Sequence, residues 1–201
     1  MFLEFALEVM KLARKAKLKN VWVTNGFFSA KARELVLPLL DAANVDLKSF
    51  NQRFYQAHCK GGLRPVIENI RTIKEAGIHL EITTLIIPNL NDSEKVLGDI
   101  VKFIADDLSV HTPWHLIDFS AQISWQMQDW PSAGEKELKK ADKIGKNAGL
   151  KFIYASHGEK MADTYCPNCN ELNIKRYGYE TERRDESGAC FKCGQRLFVV
   201  G

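Results

Sequence analysis

Cys166-Pro167-Asn168-Cys169 and Cys190-Phe191-Lys192-Cys193 form two Cys-x-x-Cys pairs with 20 residues between them. That is the spacing of a structural zinc site with four thiolate ligands. Each pair can grip one ion from a single tight turn, and the segment between must loop out and return, as a small β-ribbon does. Asn170 and Gly194 follow the two pairs. Both residue types accept the left-handed backbone that lets amides turn back toward sulfur. Two disulfides would be the alternative in a secreted chain, but Met1-Phe2-Leu3-Glu4-Phe5 lacks the basic segment and long apolar run of a signal peptide. A redox Cys-x-x-Cys would occur once, between a strand and a helix. Structural zinc on Cys166, Cys169, Cys190 and Cys193 is the expectation.

Outside the ribbon, the side chains with chemical capacity sit where strands are expected to carry a site. Thr24-Asn25-Gly26 offers a hydroxyl, an amide and a glycine to a small polar ligand, and it is equally an ordinary turn signal. Asp46 and Lys48, two apart on a strand, share a face. They could hold a zwitterion or a cation, or pair at a solvated rim. His115 follows Trp114 and could hydrogen-bond a ligand ring or a carboxylate; a core histidine with satisfied nitrogens is the plainer reading. Cys59, between His58 and Gly61-Gly62, is the fifth cysteine; it could be a reactive thiol, and a structural or incidental cysteine is the plainer reading. His58, His79, His111 and His157 show no ligand spacing.

The elements that must position these residues alternate. Apolar Phe2, Phe5, Val9, Leu12 and Ala16 predict an amphipathic helix over 2–18. Short apolar or β-branched runs predict strands at 21–26, 43–48, 78–87, 114–119 and 150–154. Helices are expected between them: 30–40 capped by Ser29, 51–58, and 64–76 closed by Gly77. Another is capped by Asn91-Asp92-Ser93 and runs to about Asp107, and the last runs from Ser132 to Ala148, closed by Gly149. This alternation defines an α/β class with a parallel sheet and right-handed crossovers, in which function sits at the C-terminal ends of strands. The 201 residues are 45% hydrophobic and 26% charged, an ordinary globular composition without a long apolar span. Cysteines spent on a metal pattern fit a reducing compartment, and the cytoplasm is expected. A net charge of +3 does not point to a nucleic-acid or membrane partner.

Five runs occur in order: Val23-Thr24-Asn25-Gly26, Ala42-Ala43-Asn44-Val45-Asp46-Leu47-Lys48, the stretch from Thr83 to Ser93, Thr112-Pro113-Trp114-His115, and Asp163-Thr164-Tyr165-Cys166-Pro167-Asn168-Cys169. Together they resemble the C-terminal part of the AmmeMemoRadiSam-system radical SAM enzymes, relatives of the pyruvate formate-lyase activating enzymes. The resemblance covers nearly the whole chain, and a C-terminal four-cysteine ribbon belongs to its pattern. It implies an incomplete (βα) barrel, the C-terminal portion of a radical SAM partial TIM barrel, over residues 1–156. A linker over 157–163 and a zinc ribbon over 164–201 would follow. It also implies S-adenosylmethionine and a [4Fe-4S] cluster, whose electron cleaves the sulfonium to a 5′-deoxyadenosyl radical. By the same resemblance Thr24 and Asn25 lie near the S-adenosylmethionine site. Asp46 and Lys48 match an Asp-x-Lys strand that contacts the cofactor or a nearby cation, and His115 matches a histidine near the adenosine.

The sequence departs from that pattern where the cluster should be held. The family uses Cys-x-x-x-Cys-x-x-Cys, and Cys59 is the only cysteine before residue 166. A Gly-Gly-Glu-Pro-like strand for the methionine amino group is missing too. Ser120-Ala121-Gln122 and Ala155-Ser156-His157 differ from the family at the substrate side. The expectation is therefore an enzyme part, inactive alone. Its partner would be the missing N-terminal barrel half, or a second copy pairing through the apolar strand edge at Val21-Trp22-Val23. A first helix that opens without a capping residue points the same way. The other reading is a zinc-ribbon binding module for protein or nucleic acid on an α/β scaffold. From Asp163 to Gly201 six basic and six acidic side chains cancel, so nucleic acid is not expected.

Overall fold

The computed structural model describes residues 2–157, 162–178 and 180–199. The chain divides into two units, Met1–Thr83 and Thr84–Gly201. Five parallel strands follow one another in the order β1-β2-β3-β4-β5, and β3 runs across the division. A three-stranded antiparallel ribbon forms a second sheet.

The first unit holds α1 (Leu3–Lys15), β1 (Val21–Thr24), α2 (Ala30–Val36), β2 (Ala42–Asp46), α3 (Gln52–Phe54), α4 (Leu63–Glu75) and most of β3 (His79–Ile86). β1 pairs with β2 and β2 with β3, so Thr24 lies opposite Val45 and Asp46 opposite Thr83. Alternate strand residues Val45 and Ile82 and the apolar stripe of α4, Val66, Ile70 and Ile73, are closed from solvent. Each such side chain contributes about 1.5–3 kcal/mol. Buried Asn20 ties the helical layer together: its amide donates to the Met10 carbonyl at 3.0 Å and the Leu39 carbonyl at 2.9 Å. Ser29 caps α2 as expected, accepting from the Ala32 N–H at 3.2 Å. The single helix expected over 51–58 is instead capped by Asn51, runs as α3, and widens into a π turn at Tyr55–Cys59. α1 buries only Met10, and no side chain caps it.

The second unit begins with the end of β3. It continues through α5 (Glu94–Phe103), β4 (Trp114–Asp118), α6 (Glu135–Asn147), β5 (Ile153–Ser156), and the ribbon strands β6 (Thr164–Tyr165), β7 (Leu172–Tyr177) and β8 (Glu180–Arg183). β4 and β5 are parallel, with His115 opposite Tyr154. Trp114, fully buried, donates its indole N–H to the Thr84 hydroxyl at 2.9 Å. Gly145 in α6 makes room for it: a Cβ there would lie 3.1 Å from the Trp114 ring and 2.6 Å from Ile153 Cδ1. Ser93 caps α5, accepting from the Val96 N–H.

Two expectations need correcting. Ser132 does not cap α6; its hydroxyl accepts from the Ala121 N–H at 2.9 Å, and Gly134 is the N-cap, with its N–H bonded to the Glu137 carboxylate. The last strand starts at Ile153 rather than 150, because the Leu150 N–H closes α6 on the Gly145 carbonyl and Lys151 bonds to the Val110 carbonyl. Of the linker expected over 157–163, residues 158–161 lie outside the described residues. Among the described residues no helix is long and apolar enough to cross a membrane.

Candidate functional site

The four ribbon cysteines converge. Their sulfurs all lie within 4.8 Å of one another. Cys166 and Cys193 sulfurs are 3.5 Å apart, and those of Cys169 and Cys190 are 3.7 Å apart. A tetrahedral ion with metal–sulfur bonds of about 2.3 Å places its ligands about 3.8 Å apart, so the cage has the size of a single ion. All five cysteines are free thiols, not disulfides. The two knuckles close as their sequence requires: Asn170 (φ 57°) and Gly194 (φ 72°) take left-handed backbone and bond back to the Cys166 and Cys190 carbonyls. Burial pushes the Cys190 thiol up. Hydrogen bonds from the Asn173 amide and from the Cys193 and Lys192 N–H groups outweigh it and bring the thiol down to about 6. The Gln195 N–H and the Asn168 amide lower Cys193 likewise. At Cys169 the Glu171 N–H works downward, but burial and the neighbouring sulfurs push the thiol up to about 12. Four crowded thiols favour losing protons to a shared cation. The donor set and its size therefore fit a thiolate-bound metal.

In the first unit, Thr24 and Asn25 are largely used by the turn they build. The Thr24 hydroxyl accepts from the Gly26 N–H at 3.2 Å, and the Asn25 side-chain oxygen from the Phe27 N–H at 2.9 Å. Gly26 (φ 69°) sits where a Cβ would be 2.8 Å from Val45, and buried Asn69 clamps the Gly26 and Phe28 carbonyls at 2.8 Å each. At the end of the neighbouring strand, Lys48 and Asp46 form an ion pair of 2.9 Å, each side chain about one-third exposed. The strand itself ends at Asp46. Tyr55 on the π turn accepts from the Lys48 N–H at 3.2 Å, and burial pushes its phenol up. Cys59, on the same turn, has its thiol raised by burial against the opposing charge of Lys48. Ser49 is fully buried, and its hydroxyl has no partner among the described residues. Sequence reasoning missed Tyr55 and Ser49; the π turn that brings Tyr55 back has no sequence signal, though Ser49 adjoins a pair already singled out.

In the second unit, His115 is the second residue of β4, with its ring stacked on Tyr154 at 5.1 Å. The ribbon supplies Arg176, whose guanidinium lies 5.3 Å from the Tyr154 ring centre. Arg176 also donates to the Ala162 carbonyl and the Thr164 hydroxyl, both at 2.9 Å, and the Thr164 and Tyr154 hydroxyls are bonded at 3.1 Å. Phe152, Tyr154, Cys166, Cys190 and Leu197 form one buried cluster, so the cysteine cage packs directly against the β5 side of the parallel sheet. At the C-terminal end of β4, Asp118 meets His157 at 2.6 Å. His157 shows no ligand spacing in the sequence, and a contact across 39 residues is not visible there.

Residues 1–100 match the model of the radical SAM superfamily. Over 204 residues the chain is 34% identical to the uncharacterized protein MJ0808 of Methanocaldococcus jannaschii, covering 99% of this chain and 60% of that protein. It is 28% identical over 102 residues to the isethionate sulfite-lyase activating enzyme of Desulfovibrio desulfuricans, covering 50% of this chain and 33% of that one. A crystal structure of a domain of pyruvate-formate lyase-activating enzyme from Bacteroides vulgatus superposes with a TM-score of 0.66 at 18% identity, over 77% of this chain and 91% of that domain. Through its first hundred residues the chain is related to the radical SAM superfamily, and its parallel α/β sheet is like that of the superposed activating-enzyme domain. It spans 60% and 33% of the lengths of the two curated relatives.

Proposed function

We propose that this chain is the C-terminal part of a radical SAM enzyme of the AmmeMemoRadiSam kind, inactive without a cluster-bearing N-terminal part. The observation that carries the reading is the distribution of cysteines. Four of the five share one cage sized for a single ion, which leaves Cys59 alone in a chain whose first hundred residues match the superfamily. One thiolate does not fit a [4Fe-4S] cubane, so the residues present here do not hold the cluster, and no chemical step is routed through it. In this reading residues 1–156 are the barrel part, 157–163 the linker and 164–201 a structural zinc ribbon. Four thiolates leave zinc no open position for substrate. The resemblance assigns Thr24, Asn25, Asp46 and Lys48 in the first unit, and separately His115 in the second, to S-adenosylmethionine. Support comes from the Asp46–Lys48 pair beside an orphaned Ser49 hydroxyl and from the His115–Tyr154 stack.

The partner is the N-terminal barrel half, or a second copy, meeting the edge strand β1, where Val21 and Val23 are 59% and 77% exposed. Free thiols suit the cytoplasm. The test is the coding sequence directly upstream of Met1: an in-frame Cys-x-x-x-Cys-x-x-Cys is expected there. A stop codon with no such triad in reach would leave a pseudoenzyme and overturn the reading.

A further inference from the structure

Asn173 stands second in β7 and is 0% exposed. A buried side-chain amide brings two donor hydrogens and an acceptor, and an unpaired one costs about 1–3 kcal/mol. In Asn173 both ends of the amide are engaged at the cage. Nδ2 donates to the Glu171 carbonyl at 2.8 Å and to the Cys190 sulfur at 3.4 Å. Oδ1 accepts from the Phe191 N–H at 3.2 Å. Glu171 follows the first cysteine pair, and Phe191 lies inside the second. The Asn173 carbonyl accepts from the Arg184 N–H at 2.8 Å, which anchors the residue to the strand pair β7–β8. One buried residue therefore joins both knuckles through its side chain and the ribbon strands through its backbone carbonyl. Asn168 makes an instructive contrast: it is exposed, and its amide reaches the Cys193 sulfur only at 3.7 Å.

We propose that Asn173 is a positioning residue for the metal centre, holding the two cysteine pairs one ion apart and donating a hydrogen bond to the Cys190 sulfur, and so governing how tightly the ion is kept. This rests on the zinc reading of the cage. Four thiolates around a divalent ion carry about two net negative charges, and N–H donors at the sulfurs offset that charge where water is excluded. An apolar residue of the same size would fill the space but strand the Glu171 carbonyl and the Phe191 N–H.

The test uses the full chain and zinc alone. Affinity is measured by competition with a chromophoric chelator for the wild type, Asn173→Leu, Asn173→Asp and Lys175→Ala, the last an exposed β7 position away from the sulfurs. Asn173→Asp keeps the acceptor for Phe191 and loses the donor to sulfur. Outer-shell partners are worth about 10–100-fold in metal affinity, so both Asn173 variants should weaken zinc by about that factor while Lys175→Ala stays within about threefold. A second measurement needs no variant: in the wild type loaded with 113Cd, the Asn173 side-chain amide protons should show scalar coupling to the metal through the N–H···S contact, and this decides the matter if the variants do not fold. Wild-type affinity in both Asn173 variants, or no coupling in the wild type, overturns the proposal. A wild type that binds no zinc refutes the zinc reading itself, and that result is read before any variant is made.

Discussion

Gly26 shows how a site-forming turn is fixed by a single residue. Its left-handed backbone and the 2.8 Å approach of Val45 leave no space for a side chain. Gly26→Ala should lower stability by ~2–4 kcal/mol, from a strained backbone plus overpacking. Thermal unfolding against wild type measures this, and an unchanged midpoint would show that the turn relaxes. The neighbouring Thr24 and Asn25 were legible as a turn signal, and that is what their side chains do first. The cysteines were legible because metal chemistry forces local spacing. Asn173 was not, because one asparagine in a short strand looks like any surface residue until Cys190 and Phe191 fold against it. Tyr154 and Arg176 were hidden for the same reason: Tyr154 stacks on His115, and Arg176 reaches the Tyr154 ring from a ribbon strand more than twenty residues on.

At the scale of elements, the alternation of strand and helix was readable from apolar periodicity, and all five parallel strands are present. Boundaries failed where a side chain or a backbone N–H found a partner other than the expected one. Ser132 has the residue type of a cap but serves Ala121, and Leu150 looks like a strand yet terminates α6. The ribbon buries only a small apolar cluster, so metal and polar contacts add to its stability. Asp185 is one such contact. Arg183 grips its carboxylate with two bonds of 2.9 and 2.8 Å, and the Gly188 N–H adds a third at 2.9 Å. The Arg183 hydrogen bonds hold this carboxyl below the usual carboxylate range. Its contribution is therefore complete above the unfolded value of about 3.9 and fades as pH falls through the lower folded value. Asp185→Asn should cost ~1–3 kcal/mol near neutral pH, with the difference from wild type shrinking in acid. Circular dichroism melts of the zinc-loaded proteins at several pH values test this, and a difference independent of pH would contradict it.

The two ends of the parallel sheet are finished differently. The β5 end is covered by the ribbon through Phe152 and Tyr154. The β1 end shows exposed Val21 and Val23, and α1 in the same unit exposes Phe2 at 85% and Phe5 at 73%. Bare apolar edges of this kind are sites of pairing in folded proteins, which is why an additional barrel part is proposed for this side. The fold class could be read from the sequence, but the absence of cluster ligands could be weighed only against a family pattern. The central claim is that this chain keeps one ion on four thiolates and cannot hold a cubane. It is tested most directly by anaerobic reconstitution of the purified chain with iron and sulfide, followed by metal and sulfide analysis. About one zinc per chain and no stoichiometric iron or sulfide is the expected result. A roughly stoichiometric [4Fe-4S] cluster on this chain alone would contradict it.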